Sequence, residues 1–139
     1  DLNDDYSQKI KKIIKNKFLE KNVFIYGTRN DTTNIINQAE ITILTSDSEG
    51  LPVALIEYGL LRKPTVSTNV GEIPLIISNG KNGFVVPIKD GEMFYKSLVT
   101  LIDNPALRKE FGENLFETVH KNNSEEAVIE QYLNWIKSL

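Results

Sequence analysis

A chain of 139 residues with 40% apolar and 25% charged side chains suits one globular domain and is too short for a two-domain enzyme. The absence of cysteine excludes a disulfide framework, a thiolate metal site and a cysteine nucleophile, and it is compatible with the cytoplasm. A net charge of −3, with lysines scattered through Lys9 to Lys21 and no interleaved aromatic stripe, argues against nucleic acid as a partner.

No apolar run reaches the roughly 18 residues of a membrane span, and the acidic start DLNDDYSQK is not a signal peptide. Because the chain begins at Asp1 rather than Met, a piece of a longer protein is expected.

In chain order, Asp4 to Leu19 is predicted as a helix with Ile10, Ile13, Ile14 and Phe18 on one face. NVFIYG follows as a buried strand. Asp31 is placed to cap a short helix ending at Gln38, and ITILTS is a second strand. Pro52 suits the first turn of a helix running to about Leu61, and Pro64 opens the strand PTVSTN. A short helix around Pro74 to Ser78 ends at Asn79-Gly80, and GFVVP is a fourth strand. Three helices complete the chain: one from Gly91, one from near Pro105, and one capped by Ser124 with Glu125 and Glu126 in its first turn. Strands separated by helices predict right-handed crossovers and a three-layer, Rossmann-like α/β domain with a mostly parallel sheet of at least four strands. Ligands of such sheets sit beyond the carboxyl ends of the strands.

Ser46 to Leu51 is a loop of that kind, and it carries Glu49. Gly50 lets backbone approach a ligand, and the helix that follows offers free N–H groups with a partial positive charge. Glu49 is either a helix-start acid or an acceptor for ligand hydroxyls. Glu57 is the one charge in about two and a half turns of apolar helix, on the face of Val53, Leu60 and Leu61. It is either a buried carboxylate salt-bridged to a distant cation or an acceptor for two hydroxyls of a diol such as ribose. The helix rise carries position 57 roughly 7.5 Å beyond Pro52, so both carboxylates can address one ligand of nucleotide-sugar length.

The run from Ser46 to Pro87, SDSEGLPVALIEYGLLRKPTVSTNVGEIPLIISNGKNGFVVP, resembles the E-x7-E segment of the retaining GT-B glycosyltransferases of family 4, the group 1 glycosyltransferases. The likeness extends from about Val23 to Arg108. It implies that residues 1–139 are a partial C-terminal nucleotide-sugar-binding domain, with the first part of that domain and an N-terminal acceptor domain lying outside the chain.

By that resemblance Glu49 contacts the donor sugar as the catalytic residue, and Gly50 and Leu51 supply amides near the sugar and diphosphate. Glu57 binds the ribose. Arg29, in the loop Gly27 to Asn30, lies near the nucleobase, and Gly71 and Glu72 border the phosphates. GEIPL departs from relatives that carry a second glycine and a glutamate there. The implied reaction transfers a sugar from a nucleotide-sugar donor to a glycan or lipid-linked acceptor with retention, without metal or cofactor. The full-length enzyme would be cytoplasmic or peripheral to the membrane, and this chain alone inactive.

Other signals are weaker. Asp47-Ser48-Glu49 mimics the D-x-D of metal-dependent transferases. Asp1, Asn3 and Asp5 mimic a calcium loop but lack its glycine and its bidentate glutamate. NGKNG lacks the spacing of a P-loop, and His120, the only histidine, lies in a polar stretch suited to the surface. In the last helix Val128, Tyr132 and Trp135 form one apolar stripe and Ile129, Leu133 and Ile136 another; either one stripe covers the core and the other packs on the acceptor domain, or both are core. Two rival functions fit the same architecture: a nucleotide-sugar epimerase and a non-catalytic binding module.

Overall fold

The computed structural model describes residues 4–139, so Asp1 and Asn3 of the calcium-loop mimic lie outside the described residues. The chain divides into two compact units, one ending at Thr32 and the other spanning Thr33–Leu139.

In the first unit α1 (Asp5–Asn16) is capped by Asp4, whose carboxylate accepts from the Ser7 N–H at 2.6 Å. Ile10 and Ile14 are half-buried while Ile13 is exposed. The helix ends before the position that periodicity predicts. Lys17 N–H donates to the Ile13 carbonyl, Leu19 N–H donates to the Ile14 carbonyl, and between them Phe18 takes a positive φ of 56°. Phe18 therefore leaves the apolar face and is 86% exposed. The strand predicted at NVFIYG joins no ladder among the described residues, and Val23, Phe24, Ile25 and Tyr26 are all exposed. Apolar character cannot make a strand without a neighbour to hydrogen-bond.

After α2 (Thr32–Gln38) the second unit builds its sheet from β1 (Thr42–Leu44), β2 (Thr65–Thr68) and β3 (Phe84–Val86), all parallel, in the order β1-β2-β3. Three strands pair among the described residues, against the four or more expected. The crossovers carry α3 (Val53–Leu60) and α4 (Ile73–Ile76). Register aligns Ile43, Val66 and Phe84 across one face and Leu44, Ser67 and Val85 across the other.

Both faces are covered. Leu44 and Val85 pack against Leu55 of α3 and Ile73 and Ile76 of α4, together with Leu115 and Val119. Val66 and Phe84 pack against Leu98 and Leu101 of α5 (Gly91–Asp103) and against Phe111. Because Phe111, Leu115 and Val119 all belong to α6 (Pro105–Asn123), that helix serves both cores. Helices on both sides of a parallel sheet make the expected three-layer α/β architecture.

Caps follow the sequence: Asp90 accepts from Met93 N–H, Asn104 from Leu107 N–H and Ser124 from Ala127 N–H. Pro52 sits one position earlier than expected, at the N-cap of α3. In α7 (Glu125–Lys137) no residue is buried, and the six side chains of its two apolar stripes are 44–59% exposed. Neither stripe covers this unit's core, contrary to both readings of the sequence.

The contact of α3 with α6 is tight. A Cβ on Gly59 would meet the Val119 side chain at 2.6 Å, and one on Gly112 would overlap the Arg62 carbonyl, where only backbone can yield. Gly112→Ala is expected to destabilise the fold by about 1–3 kcal/mol in chemical denaturation. Gly91→Ala, which meets nothing within 4 Å, should leave the midpoint unchanged or raise it slightly.

Candidate functional site

The carboxyl ends of the three strands deliver three loops to one edge of the sheet. The loop after β1 is held from β2. Ser67 Oγ donates to the Leu44 carbonyl at 3.2 Å, and Thr68 Oγ1 donates to the Ser46 carbonyl at 2.6 Å. Ser46 Oγ in turn donates to Glu49 Oε1 at 2.6 Å, which fixes one carboxylate oxygen and leaves the other available. Glu49 is half-buried at this edge.

The loop after β2 closes on the same segment. Gly71 has φ 52°, and a Cβ there would overlap the Glu49 carbonyl oxygen. Glu72 N–H donates to the Gly50 carbonyl at 3.3 Å. The positive φ and the close backbone approach both require glycine at position 71. The N–H groups of Gly50 and Leu51 carry no hydrogen bond among the described residues, and space above Gly50 is open. Together with the first turn of α3 they present a cluster of free donors beside the Glu49 carboxylate.

Glu57 is not buried. It shares an exposed side of α3 with Val53 and Leu60, and its carboxylate makes no hydrogen bond or ion pair among the described residues. The distant salt bridge considered from sequence is therefore absent there. Burial, with the Glu57 charge adding to it, pushes the neighbouring Tyr58 phenol up.

Arg29 belongs to the first unit, whereas the other six predicted site residues belong to the second. Its Nε and Nη2 donate to the two carboxylate oxygens of Asp31, each at 2.8 Å. Asp31, expected as the cap of α2, spends its carboxylate on that fork instead.

The same sheet edge opens a cleft of about 440 Å³ lined by Thr45, Asp47, Thr68, Lys89, Phe94 and Tyr95, among others. Neither Glu49 nor Glu57 lines it, so the predicted residues border an open surface rather than this cleft. Among the described residues no three His, Asp or Glu side chains converge as a metal site. His120 is exposed and stacks on Phe116. Sequence reasoning missed Ser46 and Thr68, which orient Glu49. The S-x-x-E spacing from Ser46 to Glu49 is a legible signal for the first; nothing local marks the second.

A parallel sheet covered by helices on both faces defines a Rossmann-like α/β domain. The chain belongs to the glycosyl transferases group 1 family, whose model matches residues 3–118. It is 28% identical to a poly(ribitol-phosphate) alpha-N-acetylglucosaminyltransferase of Staphylococcus aureus over 94% of its own length and 27% of that protein. A structure of S. aureus TarM, in complex with fondaparinux, alpha-GlcNAc-glycerol and UDP, superposes with TM-score 0.83 at 28% identity, covering 91% of this chain and 26% of that one. Anabaena HepE in complex with UDP gives TM-score 0.91 at 20% identity, covering 97% and 37%, a likeness of fold. The chain thus spans about a quarter to a third of the length of these proteins.

Two outcomes follow from the geometry. Gly71→Ala should separate the two loops and cost about 1–3 kcal/mol of stability in a denaturant titration, more than Gly50→Ala, which meets nothing. The Arg29 guanidinium holds the Asp31 carboxyl below its ordinary value. Because the folded value is the lower one, the pair's stabilisation is present above about pH 4 and is lost as pH falls through the depressed value. In an NMR titration Arg29→Gln should raise the Asp31 midpoint back toward its ordinary value.

Proposed function

We propose that this chain is the nucleotide-sugar-binding part of a retaining glycosyltransferase, with Glu49 at the donor sugar, Gly50 and Leu51 at the diphosphate, Glu57 at the ribose, and Gly71 and Glu72 bordering the phosphates. Arg29 is assigned to the nucleobase. The observation that carries this reading is the pairing of a carboxylate fixed by Ser46 with the unbonded amides of Gly50 and Leu51. Carboxylates accept sugar hydroxyls, and helix-start amides receive diphosphate oxygens.

The chemistry is electrostatic. As the bond from the anomeric carbon to the phosphate oxygen breaks, the amides stabilise the departing diphosphate and Glu49 holds the sugar in place. Further cations for the diphosphate, and the acceptor site for a glycan or lipid-linked acceptor, are assigned to parts of the protein outside residues 1–139. The exposed stripes of α7 support this, since apolar faces of that size mark packing surfaces. The full-length enzyme is placed in the cytoplasm, at or near the membrane; no helix among the described residues is long and apolar enough to cross one.

Two experiments test the reading. A panel of nucleotide sugars offered to the full-length enzyme should yield transfer with the anomeric configuration kept, and residues 1–139 alone should yield none. The HepE and TarM complexes make UDP the first nucleotide to titrate. Glu57→Gln in the full-length enzyme weakens charge-assisted hydrogen bonds worth about 1.5–3 kcal/mol, so calorimetry should find nucleoside diphosphate affinity lower by roughly tenfold or more. Since the Glu57 carboxylate has no partner to strand among the described residues, the denaturation midpoint without ligand should hardly move. Unchanged affinity would remove Glu57 from the site.

A further inference from the structure

Positive charge is segregated in this acidic chain. Between Lys9 and Lys21 stand six lysines and one acid, Glu20, in a sequence of net charge −3. Among the described residues Lys9, Lys12, Lys15, Lys17 and Lys21 form no ion pair. Such asymmetry marks a surface for a polyanion or an anionic membrane.

Phe18 decides between these partners. It lies at the end of α1, flanked by Lys15 and Lys17 before it and Lys21 after it. Its φ of 56° is a conformation that disfavours any side chain with a Cβ, most of all a bulky one. Its ring is 86% exposed, so neither backbone preference nor burial within the described residues accounts for a phenylalanine there. The turn is nonetheless well formed. Lys17 N–H donates to Ile13, Phe18 N–H to Lys15 and Leu19 N–H to Ile14, at 2.9–3.1 Å, while Asn22 and Val23 N–H groups both donate to the Leu19 carbonyl. An apolar ring presented on an ordered tip among unpaired lysines matches the two chemistries of a charged bilayer surface.

We propose that the tip Lys15–Lys21 docks on an anionic lipid bilayer, with Phe18 inserted at the acyl boundary and Lys15, Lys17 and Lys21 on lipid phosphates. This deepens the membrane placement given above. Its test reads lipid binding alone, so it stands or falls separately from the donor-site assignment.

The test is co-sedimentation of the full chain with vesicles of equimolar phosphatidylcholine and phosphatidylglycerol, against vesicles of phosphatidylcholine alone. Binding should favour the anionic vesicles and weaken with added salt. Replacing Lys15, Lys17 and Lys21 together by Gln should lower partitioning on the order of a hundredfold, about fivefold per lysine. Phe18→Gly removes the ring and supplies the residue that suits the positive φ, so the denaturation midpoint should hold or rise while partitioning falls at least about tenfold. Equal binding to both vesicle types overturns the proposal. Unchanged binding by Phe18→Gly does so too, because the lysines would then be a general polyanion surface. A lowered midpoint for that variant overturns it as well, by showing that the ring packs on protein.

Discussion

Every residue of the central strand β2 is buried, and three of its four side chains, Thr65, Ser67 and Thr68, are hydroxyls. A buried hydroxyl without a partner costs about 1–3 kcal/mol, so each of these constrains whatever lies beside it. Thr65 pairs with the Thr42 hydroxyl at 2.8 Å, Ser67 reaches the Leu44 carbonyl, and Thr68 reaches the Ser46 carbonyl. The series runs along β1 and out into the loop beyond it, where Ser46 passes the constraint to Glu49. The orientation of the candidate site residue is thus set by polar satisfaction inside the core. With apolar residues at 67 and 68 the sheet would still have packed, but the loop would have lost its tether.

That edge combines carboxylate acceptors with backbone donors. Among the described residues Asp47, Glu49, Glu57 and Glu72 take part in no ion pair, and positive charge comes from Lys89 in the adjoining cleft and from backbone N–H groups at the start of α3. Carboxylates facing solvent without a cation are suited to accept from a polyhydroxylated ligand, and the amides to receive its anionic end. A donor with a sugar at one end, a ribose at the other and a diphosphate between them satisfies both. The exposure of Glu57 removes the need for a structural counter-ion, since a solvated carboxylate explains its place beside Val53 and Leu60.

What the sequence made legible was local. The helix start at Asp4, the N-cap at Ser124, the turn at Gly71 and the segments that form the three paired strands all follow from neighbours within a few residues. What it hid depends on partners remote in the chain. Val23 to Tyr26 has the composition of a strand, yet a ladder is a property of two segments. Glu57 sits in an apolar helix, but which side of that helix is covered depends on α6, sixty residues away, and the covered side is that of Leu55 and Gly59. Phe18 fits the periodicity of α1, and only the hydrogen bonds that close the helix at Lys17 and Leu19 turn it outward. Thr68 reads as an ordinary β-branched strand residue, and its role emerges only once β1 lies alongside.

The candidate donor residues other than Arg29 rest on contacts made wholly within Thr33–Leu139: β2 to β1, Gly71 to Glu49, α3 to α6. The exposed apolar side chains of α7 take no part in those contacts, and neither does the first unit's tip at Phe18. Within the second unit, the exposed face of α7 is therefore distinct from the loops that carry Glu49 and Gly71. A chain built this way can keep its donor loops in order whatever α7 packs against. On the reading proposed above, nucleotide binding is set by the core beneath Glu49 and sugar transfer by what is brought to it.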